Sequence, residues 1–197
     1  MDEKTRKIVE VFNSGGIVIF PTDTAYGIGC RIDDEKAVKR LFEIRRRSET
    51  KAVPVLISGI EMGREYLQEI PELVVEKLIK PYWPGSLTII LQSRIQRVPS
   101  LVRGRGNTLG VRMPDHTDLR KIIQDVGVPI LAPSANFAGE PTPYKFEDLD
   151  PELVKLVDYV MPARNDNAAD AGGPSTVIDC TVNPWKVLRQ GAVKLEF

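Results

Sequence analysis

The chain has 197 residues, of which 42% are hydrophobic and 27% charged, and its 27 basic and 27 acidic side chains give a formal net charge of +0. This length suffices for one domain with a sizeable core, and the composition excludes a disordered or fibrous chain. The balanced charge gives no global argument for a nucleic-acid-binding protein, although it allows a local basic patch.

Hydrophobic periodicity predicts alternating helices and strands in the first half of the chain. An amphipathic helix begins at residue 2 and ends at Gly15-Gly16. A buried strand follows at 17–20 and stops at Pro21. The next predicted elements are a helix at 33–47, a strand at 52–58, a helix within 71–85 that ends before Pro81, and a strand at 86–92.

The second half continues the alternation, which predicts an α/β fold. Its predicted elements are a strand at 108–114, a helix at 116–127, a strand at 128–134, a helix at 150–160, and strands at 174–181 and 185–193. The polar, glycine-rich stretch 163–174 is typical of either a lid over a site or a passive surface loop.

Cysteine usage and hydropathy predict a soluble cytoplasmic protein. Cys30 and Cys180 are far apart and lack the spacing of a zinc site, and His116 is the single histidine. We therefore expect two small core thiols in a reducing compartment and no metal held by protein ligands. The charged N-terminus does not resemble a signal peptide, and no apolar run approaches the roughly 18 residues of a membrane span.

Polar side chains recur at the ends of the predicted strands. The strand 17–20 is followed by PTDTAYG, PSAN extends from the end of the strand at 128–134, and Ser175-Thr176 lies at the start of the strand at 174–181. Arg112 lies between Val111 and Met113 in another strand. Because ligands of α/β sheets bind where strand ends meet, we expect these four segments to converge on one cleft.

The side chains of this predicted cleft favour an anionic ligand, because guanidinium groups bind phosphate and carboxylate bidentately. The candidates are the hydroxyls of Thr22, Thr24, Thr108, Ser134, Thr142, Ser175 and Thr176, the amide of Asn136, and the cations Arg45, Arg46, Arg47, Lys51, Arg112 and Arg189. Each has a simpler explanation when taken alone, such as a solvated helix end for 45–47. The sequence lacks a histidine beside a nucleophile and both common glycine-rich phosphate loops. Catalysis would therefore depend on positioning and charge stabilisation.

Seven motifs in order resemble the YrdC family, the threonylcarbamoyl-AMP synthases. They are PTDTAYGIG, RRRSETKAVPVLIS, WPGSLTIIL, GVRMP, PSANFAGEPTP, PSTVID and VLRQGAV, and the similarity extends from about residue 5 to residue 193. The resemblance implies a single YrdC-like domain over 1–197, in the short form of the family. It also implies an α/β fold with a twisted mixed sheet, flanking helices and a concave basic face.

The resemblance further implies an ATP-dependent nucleotidyltransferase. Such an enzyme forms L-threonylcarbamoyladenylate from L-threonine, bicarbonate and ATP and releases pyrophosphate. The product serves threonylcarbamoyladenosine modification of tRNA, so the expected partners are the tRNA-modification proteins that take it. Mg²⁺ is expected to accompany ATP.

By position in the motifs, the resemblance assigns two groups of binding residues and no catalytic residue. Threonine would be bound by Thr24, Arg112 and Ser175. The nucleotide would be bound by Arg45, Arg47, Lys51, Thr108, Ser134, Asn136, Thr142 and Arg189.

The sequence departs from the family pattern around the expected phosphate and threonine pockets. Arg45-Arg46-Arg47 replaces Lys-x-Arg, Ser48 replaces proline, Ala52-Val53 replaces Pro-Leu, Leu56 replaces a frequent histidine, and Ser86 replaces the second proline of PGPLT. Two alternatives therefore stay open. One is a paralogue that forms a carbamoyl-adenylate with a different acceptor, and the other is an RNA-binding module that uses the basic face.

Overall fold

A computed structural model of the chain describes residues 2–162 and 173–196. The α-helices are Glu3–Asn13, Glu35–Ile44, Ile60–Tyr66, Glu72–Val74, Lys80–Tyr82, Thr117–Val126 and Pro151–Val154, with a π-helix at Val75–Ile79 and a 3-10 helix at Phe146–Asp148. The strands are β1 (Val18–Phe20), β2 (Gly27–Gly29), β3 (Val55–Leu56), β4 (Leu87–Gln92), β5 (Thr108–Arg112), β6 (Ile130–Leu131), β7 (Tyr159–Val160), β8 (Thr176–Asp179) and β9 (Lys186–Arg189).

The strands form two mixed sheets. A six-stranded sheet has the order β6-β3-β5-β4-β8-β9, and a three-stranded sheet has the order β2-β1-β7. Isolated bridges from Gly27 to Ser134 and from Arg31 to Ile130 connect the two sheets beside β2 and β6. The predicted α/β class with a twisted mixed sheet and flanking helices is confirmed, with the strands divided between two sheets.

The unbroken apolar run at 17–20 is explained by burial on both faces of β1. Ile17 and Ile19 pack in one hydrophobic cluster, with the helix Glu35–Ile44. Val18 and Phe20 pack in a second cluster, with the helices Glu3–Asn13 and Thr117–Val126. Because successive strand residues point to opposite faces, a strand covered on both sides needs apolar residues at every position.

The structure corrects the predicted helix boundaries in two places. The helical segment does not end before Pro81 but continues to Tyr82, because the π-helix Val75–Ile79 changes the hydrogen-bond register before the proline. The helix predicted over 150–160 spans only Pro151–Val154, and β7 follows it. The Asp158 side chain accepts a hydrogen bond from the Ile17 N–H at 2.7 Å, which anchors β7 beside β1.

Three elements have no counterpart in the sequence prediction, namely β2, the helix Ile60–Tyr66 and the 3-10 helix Phe146–Asp148. The lid prediction at 163–174 concerns mainly 163–172, which lie outside the described residues. Cys30 is buried and Cys180 is half-buried, both as free thiols, and burial raises the pKa of the Cys180 thiol to about 12. Within 2–162 and 173–196, no helix combines the length and the apolar character that a membrane crossing requires.

We expect Gly29→Ala to destabilise the fold, because a Cβ at this position would lie 1.8 Å from the Leu131 carbonyl oxygen. Overpacking of this kind costs about 1–3 kcal/mol, and a backbone clash is not relieved by a rotamer change. Gly110→Ala is the matched control, because its Cβ would meet its nearest neighbour, in Thr88, at 3.5 Å. Urea unfolding measures both variants, and equal midpoints for the two would contradict the close approach of β2 and β6.

Candidate functional site

A cleft of about 200 Å³ opens on the six-stranded sheet, between that sheet and the loop that follows β1. Its lining residues are Thr22, Thr24, Ala25, Tyr26, Gly27, Arg45, Arg47, Pro54, Leu56, Thr88, Arg112, Ala132, Pro133, Ser134, Thr142, Pro174, Ser175 and Arg189. The four predicted segments therefore do converge.

The four segments do not all meet at the same edge of the sheet, however, because β6 runs antiparallel to β3. The Ala132 N–H donates to the Pro54 carbonyl, so the chain leaving β6 lies beside the start of β3 rather than its end. Arg112 and Leu56 are the last residues of their strands. The cleft consequently extends along the sheet, from Arg112 at one end toward Ser134 at the other.

Arg112 occupies the first end of the cleft as a buried cation with three protein partners. The residue is 6% exposed. Nε donates to the Gly85 carbonyl at 3.0 Å, Nη1 donates to Thr24 Oγ1 at 2.7 Å, and Nη2 donates to Asp23 Oδ1. Burial lowers the pKa of Arg112, while the Asp23 carboxylate acts against that shift and favours the charged form.

The loop that holds Thr24 is stabilised by its own hydroxyl contacts. Thr22 Oγ1 donates to the Ala25 carbonyl at 2.7 Å and accepts from the backbone N–H of Thr24 at 3.1 Å. These local bonds are typical of the turn that a Thr/Asp sequence forms after a proline. They place the Thr24 hydroxyl against the Arg112 guanidinium, where both line the cleft.

Ser175 lies near Arg112 within a second group of polar contacts. Its hydroxyl is 2.9 Å from Thr88 Oγ1. Arg189 donates to the Ser175 carbonyl through Nε and to the Ser175 hydroxyl through Nη2, both at 3.0 Å. Arg189 therefore holds Ser175 in this structure, in addition to lining the cleft itself.

Arg45 stands at the far end of the cleft and is 3% exposed. Nε donates to the Asn136 carbonyl at 3.1 Å, and Nη2 lies 3.4 Å from Asn136 Oδ1. Nη1 is buried and makes no hydrogen bond to any residue that the structure describes. Burial, together with the charge of Arg47, lowers the pKa of Arg45 to about 10.

The remaining predicted residues differ in how they relate to the cleft. Ser134 and Thr142 line it. The Asn136 side chain does not, because it donates to the carbonyls of Phe137 and Glu140 and stabilises the loop that receives Arg45. Lys51 is exposed and lies outside the lining.

Thr108 also lies outside the lining. It is four residues before Arg112 on the same face of β5, which corresponds to about 13 Å along the strand. A ligand would reach Thr108 only by extending along the sheet, so its role stays a prediction.

The cleft has a strong excess of positive charge. Among the described lining residues, four are arginines and none carries a carboxylate. Asp23 lies behind the lining, next to Arg112. Burial lowers the pKa of Arg47 and of Arg189 as well. A bound anion would offset the cost of burying these cations, which is the chemical property that defines the site.

Sequence reasoning missed three residues of this network. Asp23 was visible between the two threonines of PTDT, and Thr88 was the one polar residue inside the apolar run LTIIL. Ser86 was noted only as a departure from a family pattern, yet its hydroxyl donates to Asp23 Oδ2 at 3.1 Å.

The fold and the cleft together define a mixed α/β protein with an elongated, arginine-rich pocket for an anionic ligand. The sequence model of the Sua5_yciO_yrdC family, described as "Telomere recombination", matches residues 10–191. The chain therefore belongs to the Sua5/YciO/YrdC family.

Curated relatives named threonylcarbamoyl-AMP synthase are similar over nearly the whole chain. The protein of Pyrococcus abyssi is 36% identical over 98% of this chain, and that of Bacillus subtilis is 32% identical over 99%. The chain spans about half the length of these two relatives, 55% in each case. The Vibrio cholerae protein is 29% identical over 96% of this chain and 98% of its own length.

Two crystal structures have closely similar folds. The structure of P. abyssi Sua5 complexed with L-threonine has a TM-score of 0.85 at 35% identity and covers 95% of this chain and 54% of that one. Escherichia coli YciO has a TM-score of 0.82 at 26% identity and covers 95% of this chain and 89% of that one.

We expect tripolyphosphate to raise the melting temperature of the protein and to do so much less for Arg45→Met, which lacks the unpartnered guanidinium N–H. A ligand at 100 times its Kd stabilises by about 2.7 kcal/mol, or roughly 5–10 °C for a domain of this size. Differential scanning fluorimetry measures the shift. Arg97→Met is the control, because Arg97 is exposed and paired with Glu65 outside the cleft. An equal shift in Arg45→Met and in the unmodified protein would exclude Arg45 from the anion site.

Proposed function

We propose that this protein is an L-threonylcarbamoyladenylate synthase, an ATP-dependent nucleotidyltransferase. It combines L-threonine, bicarbonate and ATP into threonylcarbamoyl-AMP and releases pyrophosphate and water. The proposal is supported by the relatives that bear this enzyme name and by the L-threonine complex of the similar P. abyssi protein.

The single observation that carries the proposal is the difference between the two ends of the cleft. At one end, Arg112 is paired with Asp23 and surrounded by hydroxyl groups. At the other end lie Arg45 and Arg47, and none of the lining residues that the structure describes carries a carboxylate. A zwitterionic amino acid suits the compensated end, and a polyphosphate suits the uncompensated one.

The proposed roles follow from this division. Arg112 binds the threonine carboxylate, and Thr24 and Ser175 contact the same molecule from either side. Arg45, Arg47, Ser134 and Thr142 contact the nucleotide. Asn136 acts largely by holding Arg45, and Arg189 acts largely by holding Ser175. We also propose that Lys51 and Thr108 contact ATP, which requires a nucleotide that extends along β5.

The reaction needs positioning and charge stabilisation rather than a protein nucleophile. The neutral threonine amine forms a bond to the carbon of bicarbonate, and loss of water leaves a carbamate. A carbamate oxygen then attacks the α-phosphorus of ATP as the bond to pyrophosphate breaks. Holding the reactants in one cleft makes these steps effectively unimolecular. The guanidinium groups of Arg45 and Arg47 stabilise the negative charge that develops on the departing pyrophosphate.

Mg²⁺ would be bound mainly by the phosphates of ATP. Among the described residues, no group of three or more His, Cys, Asp or Glu side chains could hold a metal ion. The lining residues that the structure describes offer hydroxyl and carbonyl oxygens but no carboxylate, and the nearby Asp23 already bonds to Arg112 and Ser86. These residues do not form a cation site by themselves, so we assign no step of the reaction to the metal.

The proposal extends to the partners and the organisation of the chain. The adenylate product would pass to the proteins that modify tRNA with threonylcarbamoyladenosine, and we propose a cytoplasmic location for the enzyme. We propose that residues 1–197 act as a single YrdC-like domain with a basic concave face that is available for contact with RNA.

We expect the purified protein to form threonylcarbamoyl-AMP and pyrophosphate when given ATP, Mg²⁺, bicarbonate and L-threonine, with mass spectrometry identifying the adenylate. Arg112→Ala should lower kcat/KM by about 10–100-fold, because it removes a hydrogen-bonded charge from the threonine carboxylate. The matched control is Arg97→Ala, which removes an exposed arginine outside the cleft and should retain full activity.

Two other results would point to the alternatives. An adenylate that forms equally well without threonine would indicate a paralogue with a different acceptor. RNA binding that falls steeply with salt, with neither adenylate formation nor a response to threonine, would indicate an RNA-binding module.

A further inference from the structure

Asp23 belongs to the binding network without lining the cleft. It is 8% exposed, and both of its carboxylate oxygens already have protein partners. Oδ1 accepts from Arg112 Nη2, and Oδ2 accepts from the Ser86 hydroxyl at 3.1 Å. Its influence on a ligand would therefore be exerted through Arg112 rather than by direct contact.

Arg112 depends on Asp23 both for its charge balance and for its orientation. A buried guanidinium is costly unless a carboxylate compensates it. Gly85 and Thr24 supply neutral acceptors to the same guanidinium, so Asp23 is the charged one of its three partners. These three fixed partners use three of the five N–H groups and leave two for a ligand. The direction of the remaining N–H groups is thereby set before a ligand arrives.

Ser86 adds a further constraint on the same carboxylate. It precedes β4, and its backbone carbonyl accepts from the N–H of Thr176 at the start of β8. The Asp23 side chain is consequently fixed from the sheet side by Ser86 and from the cleft side by Arg112. A proline at position 86, which the family pattern places there, could not supply this hydroxyl.

We propose that Asp23 is a positioning residue that holds Arg112 in the orientation required to bind the carboxylate of the amino-acid substrate, and that Ser86 reinforces it. This inference rests on the proposed function and adds two residues to it. Pre-orientation of this kind lowers the entropic cost of binding, so its loss should weaken the affinity for the amino acid more than the maximal rate.

The test compares Asp23→Asn and Ser86→Ala with the unmodified protein. We expect Asp23→Asn to raise the KM and Kd for threonine by about 10–100-fold, because Arg112 loses the charge-assisted hydrogen bond that orients it, and this loss outweighs the stronger attraction of an uncompensated guanidinium for the carboxylate. Ser86→Ala should raise them by about 2–5-fold, because it leaves the ion pair in place. In both variants the Kd for ATP should stay within about twofold, because Arg45 and Arg47 are untouched. Calorimetry gives the two Kd values, and steady-state kinetics separates KM from kcat.

Asp33→Asn is the control, because Asp33 also makes an ion pair, with Arg31 at 2.8 Å, but that pair is more exposed and lies outside this cleft. It should change neither Kd. Circular dichroism identifies whether each variant is folded, and if Asp23→Asn unfolds, Ser86→Ala decides the question alone.

Equal losses of threonine and ATP affinity, or no loss of threonine affinity in either variant, would overturn the role of Asp23. Failure of the unmodified protein to bind threonine would instead overturn the proposed function.

Discussion

The organisation of the cleft depends on the burial of one cation, Arg112, at the end of a central strand. A buried guanidinium must be compensated and hydrogen-bonded, and the structure meets this requirement with Asp23, Thr24 and the carbonyl of Gly85. The N–H of Gly85 in turn donates to the Met113 carbonyl at 2.8 Å. The loop after β1, the turn before β4 and the end of β5 are thus held together by the same constraint. The shape of one end of the cleft is a consequence of neutralising this charge.

The opposite end follows the reverse principle. Arg45 is as deeply buried as Arg112, but its described partners are the backbone and amide oxygens of Asn136 rather than a carboxylate. The lowered pKa of Arg45, about 10, reflects that uncompensated burial. Such a site is unfavourable when empty and becomes favourable when an anion enters. The asymmetry between a compensated and an uncompensated arginine therefore distinguishes the proposed amino-acid and phosphate positions within one cleft.

Much of this arrangement was predictable from the sequence, and the remainder depended on tertiary contacts. Short apolar runs located β1, β4 and β5, the 3.6-residue periodicity located the long helices, and the motif order indicated the family. Tyr159 and Val160 were predicted as helix because local propensity cannot register pairing with β1, which is distant in sequence. Asp23 was overlooked because a Thr/Asp turn explains PTDT without any partner, and only the fold brings Arg112 to it. The assignment of Asn136 to the nucleotide stays a prediction, and in this structure its amide donates to carbonyls of its own loop.

The central claim, that Asp23 and Thr24 both hold the Arg112 guanidinium that binds the ligand, is tested most directly by a double-mutant cycle on threonine affinity. Calorimetry would compare Asp23→Asn, Thr24→Val and the combined variant with the unmodified protein. Residues that share one partner are expected to be coupled by about 0.5–3 kcal/mol, so the combined loss should be clearly smaller than the sum of the single losses. Losses that add within about 0.3 kcal/mol would show that the two residues act independently and would contradict this account.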